Sequence, residues 1–135
     1  MTAPGGPPLV IVTAAVVEQD GLFLVTRRPA GTHLQGCWEF PGGKCDPGEA
    51  LDRCLVREIR EELDAAANVG AEIFSIAHTY PDRVVRLHFF RCELAGEPRP
   101  ALGQEMRWVR REELAQLEFP PADAKLIAIL SRTAG

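Results

Sequence analysis

Residues 42–65 read GGKCDPGEALDRCLVREIREELDA, and this stretch restricts the possible folds more than any other part of the chain. Asp46-Pro47-Gly48-Glu49 is a turn sequence, and residues 49–63 contain no Pro or Gly and are rich in Leu, Arg and Glu. That composition predicts a helix over 49–63. At about 100° per residue, Leu51, Leu55, Glu58 and Glu62 lie along one narrow stripe, with Ile59 and Leu63 beside it and Arg53, Arg57 and Arg60 on roughly the opposite side. If the leucines face a core, the glutamates face inward or into a cleft at its edge. The stretch holds seven acids among four bases, and Glu58, Glu61 and Glu62 crowd one helical turn where like charges repel. Burying ionised carboxylates side by side is costly unless a cation compensates, and hard divalent ions such as Mg2+ prefer carboxylate oxygens. The residues alone leave two readings open: a Mg2+ site, or a structural network in which Glu58 and Glu62 pair with nearby arginines.

The rest of the chain supplies mostly strands. LVIVTAAVVEQ and LFLVTRR flank Asp20-Gly21, which predicts a hairpin over 9–27. The stretch PAGTHLQGCWEFPGGKCDPGE is dense in Gly and Pro. A long irregular connection of this kind is usually functional, so the active site is expected to use it. Strands are predicted at about 69–79 and 84–94, separated by YPDR, with MRWVR as another. REELAQL reads as a short helix and PADAKLIAILSR as a closing one. Periodicity alone gives α/β or α+β.

With 135 residues, 46% of them hydrophobic and 25% charged, the chain suits one core. Residues 1–8, MTAPGGPP, are expected to form a flexible leader, and 9–135 a single domain. A net charge of -4 with dispersed bases argues against binding duplex nucleic acid. No apolar run approaches the roughly 20 residues of a membrane span. Cys37, Cys45, Cys54 and Cys92 form no Cys-x-x-Cys pair and no secretory signal precedes them, which favours a reducing cytoplasm. A zinc site built from them with His78 or His88 requires a long-range convergence that the sequence does not signal, so structural cysteines are expected.

Gly43, five residues, Glu49, seven residues, Arg57-Glu58-Ile59, one residue and Glu61-Glu62 match the Nudix box, and the chain resembles the Nudix hydrolase family. VTRR at 25–28, WEFPGGK at 38–44, YPDRVVRLHFF at 80–90 and LEFPPAD at 117–123 extend the resemblance to the bacterial MutT-type diphosphatases that remove 8-oxo-dGTP from the nucleotide pool. The resemblance implies an α/β/α sandwich with a mixed β-sheet and a loop-helix-loop box. It implies Mg2+, with Mn2+ as a substitute, held by Glu58, Glu61 and Glu62 with the Gly42 carbonyl, one of these groups activating water. Glu49 and Arg57 are then expected to orient the carboxylates, and Glu105 is a weak auxiliary ligand, Leu102 standing where such enzymes often carry an acid. Arg28 is placed to meet a phosphate. Phe40, Gly43, Lys44, Arg83, Phe119 and Asp123 are the other candidate nucleotide-binding residues, although Phe40 and Phe119 also suit a core and Asp123 also suits a helix cap.

The implied reaction converts a nucleoside triphosphate to monophosphate and pyrophosphate in the cytoplasm, by a monomer or homodimer whose partner is a small nucleotide. The first expectation is 8-oxo-dGTP. Where MutT-type enzymes carry an Asn that reads the oxidised base, this chain has Asp123, so a CTP or 5-methyl-dCTP pyrophosphohydrolase is the alternative. A nonenzymatic nucleotide-binding module is a third reading, opposed by the intact glutamates. Asp64 and Ala65 replace the Gly and aliphatic residue that usually end the box. A left-handed helix terminus suits Gly, so Asp64 is expected to be a modest stability defect.

Overall fold

The computed structural model describes residues 8–132. The leader expected over 1–8 lies outside them except for Pro8, whose carbonyl accepts the Val84 amide at 2.9 Å. The first apolar runs form β1 (Leu9–Gln19) and β2 (Leu22–Arg27). Asp20 (φ 53°) and Gly21 (φ 78°) are both left-handed, the geometry that a two-residue hairpin turn needs to match strand twist.

Two short strands, β3 (Trp38–Glu39) and β4 (Gly42–Lys44), lie within the Gly- and Pro-rich stretch read as irregular. They form because β2 and β1 offer edges there: Trp38 pairs with Arg27, and Gly42, Gly43 and Lys44 pair antiparallel with Ala14, Thr13 and Val12. The helix α1 (Leu51–Leu63) starts later than predicted. Glu49 closes the preceding turn instead, its amide donating to the Asp46 carbonyl at 3.0 Å and its carboxylate accepting the Asp46 amide at 2.9 Å.

β5 (Ala66–Tyr80) and β6 (Arg83–Ala95) are a longer hairpin than predicted, closed by Pro81-Asp82. β7 (Met106–Arg110) pairs with β2, and α2 (Arg111–Leu114) follows. A 3-10 turn (Pro121–Asp123) leads into α3 (Ala124–Arg132), which splits the predicted closing helix in two. The strands make one seven-stranded sheet in which β3-β2-β1-β6-β5 run side by side, with β4 on β1 and β7 on β2. The sheet is mixed because β1 and β6 are parallel, from Leu9 opposite Val84 to Val17 opposite Cys92.

Helices cover both faces, giving the expected α/β/α sandwich. Alternate residues of the central strands supply two cores. Val16, Phe23, Val25 and Phe89 pack with Leu126 and Leu130 of α3 and Leu114 of α2. Val17, Leu24 and Phe90 pack on the opposite face with Leu55, Ile59 and Leu63 of α1. Among the described residues no helix is long and apolar enough to cross a membrane.

Candidate active site

Leu55, Ile59 and Leu63 recur at four-residue spacing and are fully buried, so they fix the rotation of α1 on the sheet. That rotation turns Glu58 and Glu62 toward β4. Gly42 and Gly43 meet them there, and neither has free space for a Cβ. A Cβ on Gly43 would lie 2.4 Å from the Glu58 carboxylate, and one on Gly42 would lie 2.0 Å from the Thr13 carbonyl oxygen. The Gly42 amide donates to Glu62 Oε2 at 3.1 Å.

Arg57 organises the outer side of this cluster. Its Nε and Nη2 grip both oxygens of Glu49 at 2.9 Å, and its Nη1 reaches Glu58 at 3.2 Å and Glu61 at 3.4 Å. These hydrogen bonds pull the Glu49 carboxyl down to about 2 and push the Arg57 guanidinium up. Glu62 takes no arginine hydrogen bond among the described residues. Burial, with the charges of Glu39 and Glu58 adding to it, pushes its carboxyl up to about 8 against the opposing Gly42 amide. Burial also raises Glu58, against the pull of Arg57. The arginine-network reading therefore accounts for Glu58 and Glu61 but leaves Glu62 half-buried with no arginine hydrogen bond among the described residues. By their chemistry, hard oxygen donors of this kind suit a divalent ion of the magnesium class.

Glu58 and Glu62 line a cleft of about 570 Å³, while Glu61 lies exposed outside its lining. Glu58, Glu62, Gly42, Gly43, Lys44, Arg28, Phe40, Arg83 and Asp123 all line it, although they come from positions as far apart as 28 and 123. Arg28 donates from Nη1 to Glu39 at 3.0 Å. Phe40 is buried, stacked on Phe119 with ring centroids 5.4 Å apart and packed edge-on against Phe89, so it is both core and cleft wall. Phe119 supports it from behind and is not itself part of the lining. Arg83 lies over the Tyr80 ring at 5.8 Å, and its buried Nε has no hydrogen-bond partner among the described residues. Asp123 is only 4% exposed, and burial with the nearby Glu39 charge lifts its carboxyl to about 7. It stands immediately before α3, at the end of the 3-10 turn, with its amide donating to the Pro120 carbonyl at 3.0 Å.

Glu105 does not join the cluster. It pairs with Arg27 at 3.3 Å, and its backbone carbonyl accepts the Arg27 amide at 3.0 Å. The pairing of β7 on β2 fixes it beside that arginine, at a separate cavity lined by Arg28 and Gln104. Glu39, Tyr80 and His33 line the cleft and were not anticipated as site residues. Glu39 offered one signal: it is the polar residue between buried Trp38 and Phe40, the alternation of a strand with one buried face. Cys45 and Cys54 converge with Glu49 so that their ligand atoms lie within 4.8 Å of one another. β4 and the first turns of α1 bring them together, which spacing in sequence did not reveal.

The family model described as NUDIX domain matches residues 12–128. A protein named CTP pyrophosphohydrolase from Escherichia coli is 37% identical over 120 residues, covering 88% of this chain and 89% of that protein. An 8-oxo-dGTP diphosphatase from Haemophilus influenzae is 36% identical over 122 residues, covering 88% and 89%. Among solved structures, the E. coli ORF135 protein in solution superposes with a TM-score of 0.81 at 34% identity, over 96% of each chain.

Proposed function

The chain belongs to the Nudix family and is a Nudix pyrophosphohydrolase, and from that premise we propose that its substrate is 8-oxo-dGTP, cleaved to the monophosphate and pyrophosphate with Mg2+. Glu58, Glu61 and Glu62, with the Gly42 carbonyl, are the residues that would hold the ion. When bound, such an ion offsets charge on the phosphates and makes water more acidic. Glu49 holds Arg57, which in turn holds Glu58 and Glu61, so these two orient the carboxylates by charged hydrogen bonds. One carboxylate of the cluster takes the proton of the attacking water as the phosphorus–oxygen bond between the α and β phosphates breaks. Arg28 and Lys44, on the cleft wall, meet the phosphate chain.

The observation that carries the choice of base is Asp123, buried in the cleft with its carboxyl near 7. As the neutral acid it presents one donor and one acceptor. Oxidation at C8 gives guanine an N7–H beside O6, so the acid donates to O6 and accepts from N7–H. Unmodified guanine presents two acceptors on that edge and leaves the acid carbonyl facing a lone pair. Arg83 and Tyr80 lie on the same cleft.

A cytidine nucleotide is the second reading. Asp123 accepts from the cytosine amino group in either protonation state, and the E. coli relative carries the name CTP pyrophosphohydrolase. Comparison of kcat/KM for 8-oxo-dGTP, dGTP, CTP and 5-methyl-dCTP with Mg2+, with product identification, separates the two. A preference for 8-oxo-dGTP over dGTP with release of pyrophosphate is expected, and a preference for the cytidine nucleotides selects the second reading. Glu61→Gln and Glu62→Gln should each lower turnover by about 100-fold or more while the circular dichroism spectrum stays unchanged. Near-normal turnover in either variant removes that residue from the assigned set.

A further inference from the structure

Beside the cleft, the turn before α1, the first turn of α1 and β1 bring together two thiols, a carboxylate and a hydroxyl. Cys45 Sγ, Cys54 Sγ and a Glu49 oxygen lie within 4.8 Å of one another, and Thr13 Oγ1 is 3.2 Å from Cys54 Sγ. Thr13 and Cys54 are fully buried, while Cys45 is partly exposed and gives access from solvent. We propose that Cys45, Cys54 and Glu49 form a second cation site, specific for a thiophilic divalent ion of the zinc class and separate from the glutamate cluster.

The donor set suits that chemistry. Two sulfurs and one carboxylate oxygen are a three-ligand set of the Cys and carboxylate types that zinc and cadmium take, leaving a fourth tetrahedral position open. Binding breaks two S–H bonds, forms two sulfur–metal bonds and releases two protons to solvent. Two thiolates and the carboxylate exceed the ion's charge by one negative unit, and Arg57, bonded to Glu49 at 2.9 Å, lies next to that excess. Glu49 has room for both partners. Its Oε1 accepts from the Asp46 amide and Arg57 Nη2 and its Oε2 from Arg57 Nε, and the Cys54 thiol also donates to this carboxylate. A carboxylate oxygen has two lone pairs. Mg2+ is disfavoured by softness: a hard ion gains little from sulfur, whereas zinc and cadmium bind thiolates well.

Glu49 ties this site to Arg57 and through it to Glu58 and Glu61. A soft ion that draws on Glu49 therefore loosens the grip on Arg57 and slows hydrolysis, a consequence that rests on the proposed function. The binding itself does not.

The test is titration of the protein with Cd2+ in excess Mg2+, following the ultraviolet absorption of cadmium–thiolate bonds. The band should saturate near one ion per chain, and Cys45→Ser should weaken binding by more than about 100-fold, since even supporting groups around a metal are worth 10–100-fold. Cys54→Ala should do the same, and Cys37→Ser should change nothing. No cadmium–thiolate band, or one that survives in Cys45→Ser, would overturn the site, whether or not the fully buried Cys54 variant folds. With the nucleotide that is hydrolysed, Zn2+ should inhibit Cys45→Ser only at concentrations at least about tenfold higher than wild type. Equal sensitivity would overturn the link to Arg57 without bearing on the substrate.

Discussion

Single residues set the pH and salt responses. Asp123 is raised in the fold to about 7 from an ordinary value of 3.8, so its neutral form is the one the fold favours. Its contribution to stability is complete below the unfolded value and is lost as pH climbs from about 4 through about 7. Asp123→Asn cannot ionise, so its stability relative to wild type should grow across that window by an amount of order 3 kcal/mol, measured by urea unfolding at several pH values. A pH-independent difference would mean that the acid is not held neutral. Asp64, in turn, does occupy the left-handed terminus of α1 (φ 51°), as its place at the end of the box suggested. Its carboxylate has found work there, pairing with Arg99 and with Arg60 at 3.7 Å, and these bonds lower its pKa. Asp64→Gly relieves the backbone and loses exposed ion pairs, which salt screens. The melting temperature should rise on substitution, and the rise should be larger at high ionic strength. A gain that shrinks with salt would reverse this assignment.

At the scale of elements, the site depends on how closely β4 approaches its two neighbours. Gly42 abuts the backbone of β1, and Gly43 abuts the end of a flexible side chain on α1. Backbone cannot yield and a glutamate can. Gly42→Ala should therefore unpair β4 from β1 and lower the melting temperature sharply, whereas Gly43→Ala should fold with a modest loss. Its cost should fall on chemistry, because Glu58 has to move: turnover drops and the Mg2+ concentration for half-maximal rate rises. Thermal melts beside Mg2+ titrations of both variants check this, and an equally mild loss of stability in Gly42→Ala would contradict the packing.

For the whole molecule, one sheet with a core on each face should unfold as one unit, because β1 sends Val16 to one core and Val17 to the other. Val16→Ala and Val17→Ala should each cost about 2 kcal/mol, and in both variants tryptophan fluorescence and far-ultraviolet dichroism should report coincident transitions. Separate transitions would show that the faces are independent. What could be read in the sequence follows the range of the interaction. The helix over 51–63, the Asp20-Gly21 turn and the long hairpin around Pro81-Asp82 are set by local period and turn chemistry. The glutamate triad was legible because its members share one helical turn, and a helix keeps the order and spacing of its residues. Local spacing could not give β3 and β4, whose hydrogen bonds depend on edges supplied by β2 and β1, nor the parallel pairing of β1 with β6 across some seventy residues. The same limit hid Glu39 beside Glu62, the separation of Glu105 from the cluster, and the meeting of Cys45 with Cys54. Sequence by itself determined the helix that bears the carboxylates and their order and spacing along it. Only the tertiary structure decided which of them are buried, because desolvation depends on what packs against a side chain, and that is settled by strands distant in the chain.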